Sequence, residues 1–325
     1  MHALVLGAAG MIGRRLVDAL VREGRVGGQP LTALTLLDVV PPAAPAGFSG
    51  PVRAEAADLT APGAAEAAIA ERPGVIFHLA AVVSGEAEAN LELGYRVNLD
   101  GTRLLLDAIR HAHAADGYRP KLIFTSSLAV FGPPLPKVIP DDHILRPASS
   151  YGVQKAMGEL MLADYARRGF LDGIGLRLPT ICVRPGKPNK AASGFFSGII
   201  REPLAGQAAI LPVPDTVRHW FASPDAAVGF LVHAAGLDLA AIGPRISLTM
   251  PGVSATVAEE IEALRRVAGD KAVALIRREP DATIARIIAS WPEAFEPEAA
   301  LALGFRADPS FDAIVAQHVA EFHGG

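Results

Sequence analysis

Three glycines at intervals of three, Gly7, Gly10 and Gly13, stand where an apolar run, His2–Gly7, gives way to a helical pattern, Met11–Gly24. A strand, a tight turn and a helix in that order leave each glycine a separate task. Gly7 permits the turn, Gly10 lets a ligand approach the backbone, and Gly13 lets helix and strand pack closely. The helix start then offers free N–H groups and the positive end of its dipole, which suits a pyrophosphate. A glycine-rich turn with no ligand has the same composition, so the neighbouring elements must decide.

They continue in alternation. Strand-like runs at Leu31–Asp38, Val75–Leu79, Lys121–Ser126 and Ile174–Leu178 are separated by helical stretches near Ala64–Glu71, Ala87–His113 and Ser149–Arg168. Strand–helix alternation calls for right-handed crossovers and a parallel sheet. The expected fold is therefore α/β, a Rossmann-type doubly wound parallel sheet with a smaller mixed α/β C-terminal lobe. The division is expected near residue 178. Residues 1–178 would bind a dinucleotide, and 179–325 would mainly bind substrate, with parts of 205–245 returning to the first domain. Ligands of such sheets lie beyond the carboxyl ends of the strands, where a second lobe can close.

Composition removes other classes. The charge balance of 30 cationic against 34 acidic residues is −4, unlike the clustered positive charge of a nucleic-acid or anionic-membrane surface. Mean hydropathy is high at +0.31, yet no apolar run reaches the roughly 18 residues of a membrane helix. The Ala3–Gly13 stretch stops at Arg14 and Arg15 and does not read as a signal peptide. Cys182 is the single cysteine, so no internal disulfide or cysteine-rich zinc site is expected and a reducing cytoplasm is the natural setting. No metal is expected.

Two further features bring chemistry. Asp38 ends the second strand-like run, and no Arg or Lys occurs between it and Gly50. A carboxylate there accepts hydrogen bonds from ribose hydroxyls and repels a 2′-phosphate, which favours NAD over NADP. The spacing from Gly13 is 25 residues, lengthened by what reads as an inserted loop at Arg25–Pro30. Tyr151 and Lys155 are four apart on an expected helix, hence on one face. A phenol is a poor base near neutrality, and a neighbouring ammonium stabilises its phenolate. Ser126-Ser127 closes the run from Lys121 and supplies a hydroxyl to orient the same substrate oxygen.

These motifs resemble those of the extended short-chain dehydrogenase/reductases, the superfamily of sugar-nucleotide epimerases and dehydratases. In family order the chain carries Gly7-x-x-Gly10-x-x-Gly13, Asp58-Leu59, His78-Leu79-Ala80-Ala81, Asn98-x-x-Gly101-Thr102, Ser127-x-x-x-Phe131-Gly132 and Tyr151-x-x-x-Lys155. The resemblance implies that Tyr151, Lys155 and Ser127 are catalytic, with Ser126 the competing serine. It implies NAD contacts from Met11 and Ile12 in the glycine turn, from Asp58 and Leu59 beside the adenine, and from Leu79, Ala80 and Ala81 along the ribose and nicotinamide side. Tyr151, Lys155 and Pro179 complete that set, and Asn98 either orders the site or caps an element. It also implies a homodimer through the helices near 87–113 and 149–168.

The chain departs from the epimerase pattern after the strand that follows the Tyr-Lys helix. The run Arg177-Leu178-Pro179-Thr180-Ile181-Cys182-Val183-Arg184-Pro185-Gly186 lacks the aromatic and asparagine that serve a nucleotide sugar. Lys187–Ser197 and Arg218-His219-Trp220 instead resemble the D-erythronate dehydrogenase branch, which oxidises a small sugar acid at C2 with NAD. Residues 173–201 hold five cations (Arg177, Arg184, Lys187, Lys190 and Arg201) and no acid, a bias suited to a small carboxylate. Arg184 and Arg218 are the expected carboxylate contacts. Ser84, Ser127, Thr180, Asn189 and Ser193 are the candidates for the remaining substrate contacts, and Cys182 reads as packing. The expected function is NAD-dependent oxidation of D-erythronate to 2-dehydro-D-erythronate. An NAD-retaining sugar-nucleotide epimerase or dehydratase is the alternative, and intact Ser127, Tyr151 and Lys155 weigh against a non-catalytic NAD-binding protein.

Overall fold

A computed structural model describes residues 1–186, 192–243 and 246–322. Its central sheet has seven strands: β1 His2–Leu6, β2 Ala33–Asp38, β3 Val52–Ala56, β4 Val75–His78, β5 Lys121–Ser127, β6 Asp172–Leu178 and β7 Ser247–Thr249. The spatial order is β7-β6-β5-β4-β1-β2-β3. Pairing is parallel from β3 through β5, with Leu6 level with Leu37 on one side and His78 on the other. Ala3–Leu6 are wholly buried, as expected of a parallel strand covered on both faces. The doubly wound α/β expectation is met.

Sheet order reverses between β1 and β4, so the loops after these two strands face a shared crevice. Helices α1 Met11–Glu23, α2 Gly101–Asp116 and α3 Ser150–Arg167 flank the sheet. The buried residues of α2 (Leu105, Leu106, Ile109) pack with Leu4, Leu6, Ile76, Leu122 and Phe124 of the strands. Helix α1 ends at Gly24, whose left-handed φ of +61° lets its N–H reach the carbonyls of Leu20 and Val21. The Arg25–Pro30 insertion is a small hairpin pairing Arg25–Val26 with Gln29–Pro30 around two positive-φ glycines.

Three features differ from the sequence reading. Strand β3 has a weakly apolar sequence, and its parallel pairing with β2 defines it. The stretch 87–113 is not one helix. It comprises Ser84–Ala89, Leu91–Gly94 and a π-helical segment Tyr95–Asp100 before α2. Asn90 breaks it by accepting the Leu93 N–H, and Asn98 turns its side chain to Val82.

The third difference is organisation. The chain forms two compact units, one of Met1–Val130, Ser149–Arg177 and Val228–Leu248, the other of Phe131–Ala148, Leu178–Ala227 and Thr249–Gly325. The departure from the division expected near 178 is residues 131–148. Residues 131–148 join the second unit because Ile139–Pro140 pairs with Phe295–Glu296 and Phe131 packs against Phe295. Residues 228–248 belong to the first, overlapping the 205–245 stretch expected to return there, and Lys121 Nζ donates to the carbonyls of Ala235 and Leu237. Among the described residues no helix is long and apolar enough to cross a membrane.

Candidate active site

The turn from β1 into α1 is shaped by what its glycines exclude. A Cβ on Gly7, whose φ is +89°, would lie 2.8 Å from the backbone nitrogen of Ala80. One on Gly13 would collide with the Gly7 carbonyl oxygen. The helix begins at Gly10, which brings no side chain to cap the first N–H groups. Those donors stay available to an anion. Met11 and Ile12 form the first turn and are partly exposed.

Asp38 stands beside this turn. Its two carboxylate oxygens accept the N–H groups of Ala9 at 3.0 Å and Val39 at 2.7 Å, which ties the end of β2 to the glycine loop. Each oxygen keeps a lone pair for a ribose hydroxyl. Asp58 is oriented by Thr60, whose hydroxyl and N–H both donate to its Oδ1. These bonds hold its carboxyl below the usual carboxylate range, and Leu59 beside it is half-buried. The strand β4 leads into Leu79, Ala80 and Ala81. Asn98 pins the backbone just beyond them: its Oδ1 accepts the Val82 N–H at 2.8 Å, and its Nδ2 donates to the Val82 carbonyl and to Gln154 Oε1. This open cradle with a carboxylate at its rim fits a dinucleotide.

Tyr151 and Lys155 share the first turns of α3, which Ser149 caps by accepting the Gly152 N–H. Lys155 is 2% exposed. Its Nζ donates to the Thr125 carbonyl at 2.8 Å and lies 4.8 Å from the centre of the Phe124 ring and 5.7 Å from that of Tyr151. Burial pushes its ammonium down to about 8, against an upward pull from Glu159. The helix can lie this close to β5 because Gly158 sits on the Phe124 ring, where a Cβ would be 2.7 Å from Cζ.

The two serines at the end of β5 have different surroundings. Ser126 is buried and its hydroxyl donates to Glu159 Oε1. Ser127 is half-buried, and its Oγ accepts the Ala129 N–H at 3.1 Å, a bond that leaves the hydroxyl proton unused. Sequence reasoning missed Glu159. It also forms a buried ion pair with Arg177, at 2.7 Å from Nη2. His78, the last residue of β4, donates from Nε2 to Thr102, whose own proton goes to the Asn98 carbonyl; burial holds His78 neutral, its pKa pushed down to about 3. Ser84 opens the short helix Ser84–Ala89 and is partly exposed.

In the second unit, Pro179 is buried between β6 and the strand Thr180–Ile181. Thr180 hydrogen-bonds His219 at 2.7 Å. Arg184 is positioned by the Ile181 carbonyl, 3.0 Å from Nε, and by the hydroxyl of buried Ser193, 2.7 Å from Nη2. Arg218 has a carboxylate partner already: Glu259 lies 3.4 Å from Nη2, and Nη1 donates to the Ser254 carbonyl. Asn189, Lys187 and Lys190 lie outside the described residues. The idea of five loop cations needs correction, because Arg177 is neutralised in the first unit and Arg201 pairs with Glu202. Cys182 is buried, and burial pushes its thiol far up.

The chain is similar to known proteins along its length. A model of the NAD dependent epimerase/dehydratase family matches residues 3–241. A D-erythronate dehydrogenase of Cupriavidus necator is 51% identical over 97% of each chain. Another from Haemophilus influenzae is 41% identical over 98% of this chain and 99% of its own. A crystal structure of a nucleoside-diphosphate-sugar epimerase from Agrobacterium tumefaciens is 61% identical, with a TM-score of 0.98 over 100% of this chain and 95% of its own.

Proposed function

Because the chain belongs to the NAD dependent epimerase/dehydratase family, we propose that it oxidises the C2 hydroxyl of a small sugar acid, D-erythronate, to 2-dehydro-D-erythronate. The observation that carries the reading is the full-length likeness to two D-erythronate dehydrogenases. NAD is the cofactor, with the Gly7–Gly13 turn under its pyrophosphate and Asp38 at the adenosine ribose. Asp58 and Leu59 flank the adenine, and Leu79–Ala81, Asn98 and Pro179 complete the contacts. When bound, it supplies the acceptor for the C2 hydride.

Tyr151 takes the proton from the C2 hydroxyl. The Lys155 ammonium stabilises the phenolate that forms, and it persists below pH of about 8. Ser127 orients the reacting oxygen, since the Ser126 proton is committed to Glu159. Arg184 is the better candidate for the carboxylate, because the Arg218 guanidinium already faces Glu259. Ser84, Asn189 and Ser193 remain proposed substrate contacts. The enzyme would work in the cytoplasm as a homodimer. Met157 and Leu160 of α3 and Leu91 before α2 are exposed apolar side chains on the helices proposed to pair.

An epimerase that retains its NAD is the second reading, favoured by the likeness to the Agrobacterium nucleoside-diphosphate-sugar epimerase. Purified protein given NAD and a panel of aldonates separates the two. Stoichiometric NADH with erythronate supports the dehydrogenase. Interconversion of nucleotide sugars without net NADH, and no response to aldonates, overturns it.

A further inference from the structure

We propose that Thr180 is a specificity-determining residue that accepts a hydrogen bond from a substrate hydroxyl, and that His219 is the positioning residue imposing this polarity on it. The inference rests on the reading of the chain as a dehydrogenase of a polyhydroxy acid.

The placement of protons decides the polarity. His219 Nδ1 lies 3.0 Å from the Pro292 carbonyl oxygen. A carbonyl only accepts, so Nδ1 carries the hydrogen. A neutral imidazole has one N–H, which leaves a bare lone pair on Nε2. Thr180 Oγ1 is 2.7 Å from that nitrogen and must donate to it. A hydroxyl has one proton, so Thr180 presents lone pairs alone to any ligand.

Both side chains are held in place. The His219 ring stacks on Phe196 with centroids 5.2 Å apart and planes at 4°. Phe221 meets it edge-on at 5.3 Å and Trp291 lies at 5.4 Å. Thr180 is fixed by strand pairing opposite Phe221. His219 is 2% exposed, and burial, with a smaller contribution from Arg184, pushes its pKa down to about 4. It therefore stays neutral near pH 7.

The chemical consequence is a division of labour within the second unit. A carboxylate or ketone at Thr180 would set acceptor against acceptor, whereas an alcohol supplies the missing proton. Arg184, four residues on, has the opposite preference. The pair would thus read a hydroxyl at one end and an anion at the other, orienting the acid along its length.

Two measurements test this. The first needs no substrate: the ¹⁵N shifts of His219, assigned by comparison with His219→Phe, should show a neutral ring protonated at Nδ1. A ring protonated at Nε2 overturns the relay. The second compares erythronate with its 3-deoxy and 4-deoxy analogues. Wild type should prefer erythronate over one analogue by about tenfold or more in kcat/KM, about 1.4 kcal/mol. Thr180→Val should bring that ratio close to one, Thr180→Ser should retain it, and His219→Phe should reduce it. Equal losses on every acid would mark a merely structural role and overturn the proposal, as would an unchanged ratio in Thr180→Val. Absence of turnover with any aldonate would refute the functional reading and the hydroxyl assignment with it, while the tautomer still stands or falls on the shifts.

Discussion

Replacing Lys155 by methionine should abolish turnover and at the same time stabilise the folded chain at neutral pH. The ammonium is 2% exposed, and burial lowers its pKa from 10.5 to about 8. At about 1.4 kcal/mol per pKa unit, the charged form costs the native state roughly 3 kcal/mol. Methionine fills similar space without that cost, but it leaves the Thr125 carbonyl without its donor, an offset of about 1–2 kcal/mol. The net gain is about 1–2 kcal/mol, or a few degrees in Tm for a chain of this size. The pH dependence is the sharper signature. Between about 8 and 10.5 the unfolded chain holds a proton on Lys155 that the folded chain does not, so wild-type stability from this group rises with pH. Calorimetry of both proteins at pH 7 and pH 9.5 should therefore show the methionine variant ahead at pH 7 and the gap narrowed at pH 9.5. A variant destabilised at pH 7, or a gap that widens with pH, would refute the reasoning.

Tyr151→Phe should lower kcat by several orders of magnitude while NAD binding, followed by calorimetry, stays nearly intact, because the lost phenolic oxygen is the proton acceptor. Ser127→Ala should cost far more in kcat than Ser126→Ala, whose hydroxyl serves Glu159; the reverse order would exchange their roles. Wild type should favour NAD over NADP by about tenfold or more in kcat/KM, about 1.4 kcal/mol, and Asp38→Ala should narrow that preference; equal efficiency with both cofactors in wild type would remove the basis for the Asp38 assignment. Arg184→Ala should raise KM for the acid by an amount equivalent to about 1.5–3 kcal/mol with little change for NAD, Arg218→Ala should do so less, and erythritol should be a poor substrate. Oxidation of erythritol as efficient as that of erythronate would show that no carboxylate is being read.

Much of the first unit was legible because its signals are local. Gly7, Gly10 and Gly13 act within one turn, and Tyr151 and Lys155 meet on one helix face because four residues make roughly one turn. The alternation of strand and helix patterns is enough to require a parallel sheet, and the place of Asp38 at the end of a strand beside the glycine turn is local too. Strand β3 was not legible, since Val52–Ala56 has too little apolar character to announce a strand that its neighbour defines.

What tertiary structure alone decided concerns partners distant in the chain. Ser126 and Ser127 are equivalent in sequence; packing of α3 on β5 gives one to Glu159 and leaves the other half-exposed. Arg177 looked like one of five loop cations until the fold set it against Glu159, and Arg218 looked free for a carboxylate until strand pairing brought it to Glu259. Residues 131–148 likewise join the second unit through a strand pairing and ring contact that no local pattern encodes. The chain's own periodicity sets turns, helix faces and strand ends. The balance of charge and protons in a buried site depends on which side chains the fold brings together, and those contacts span 18 residues for Glu159 with Arg177 and 73 for His219 with Pro292.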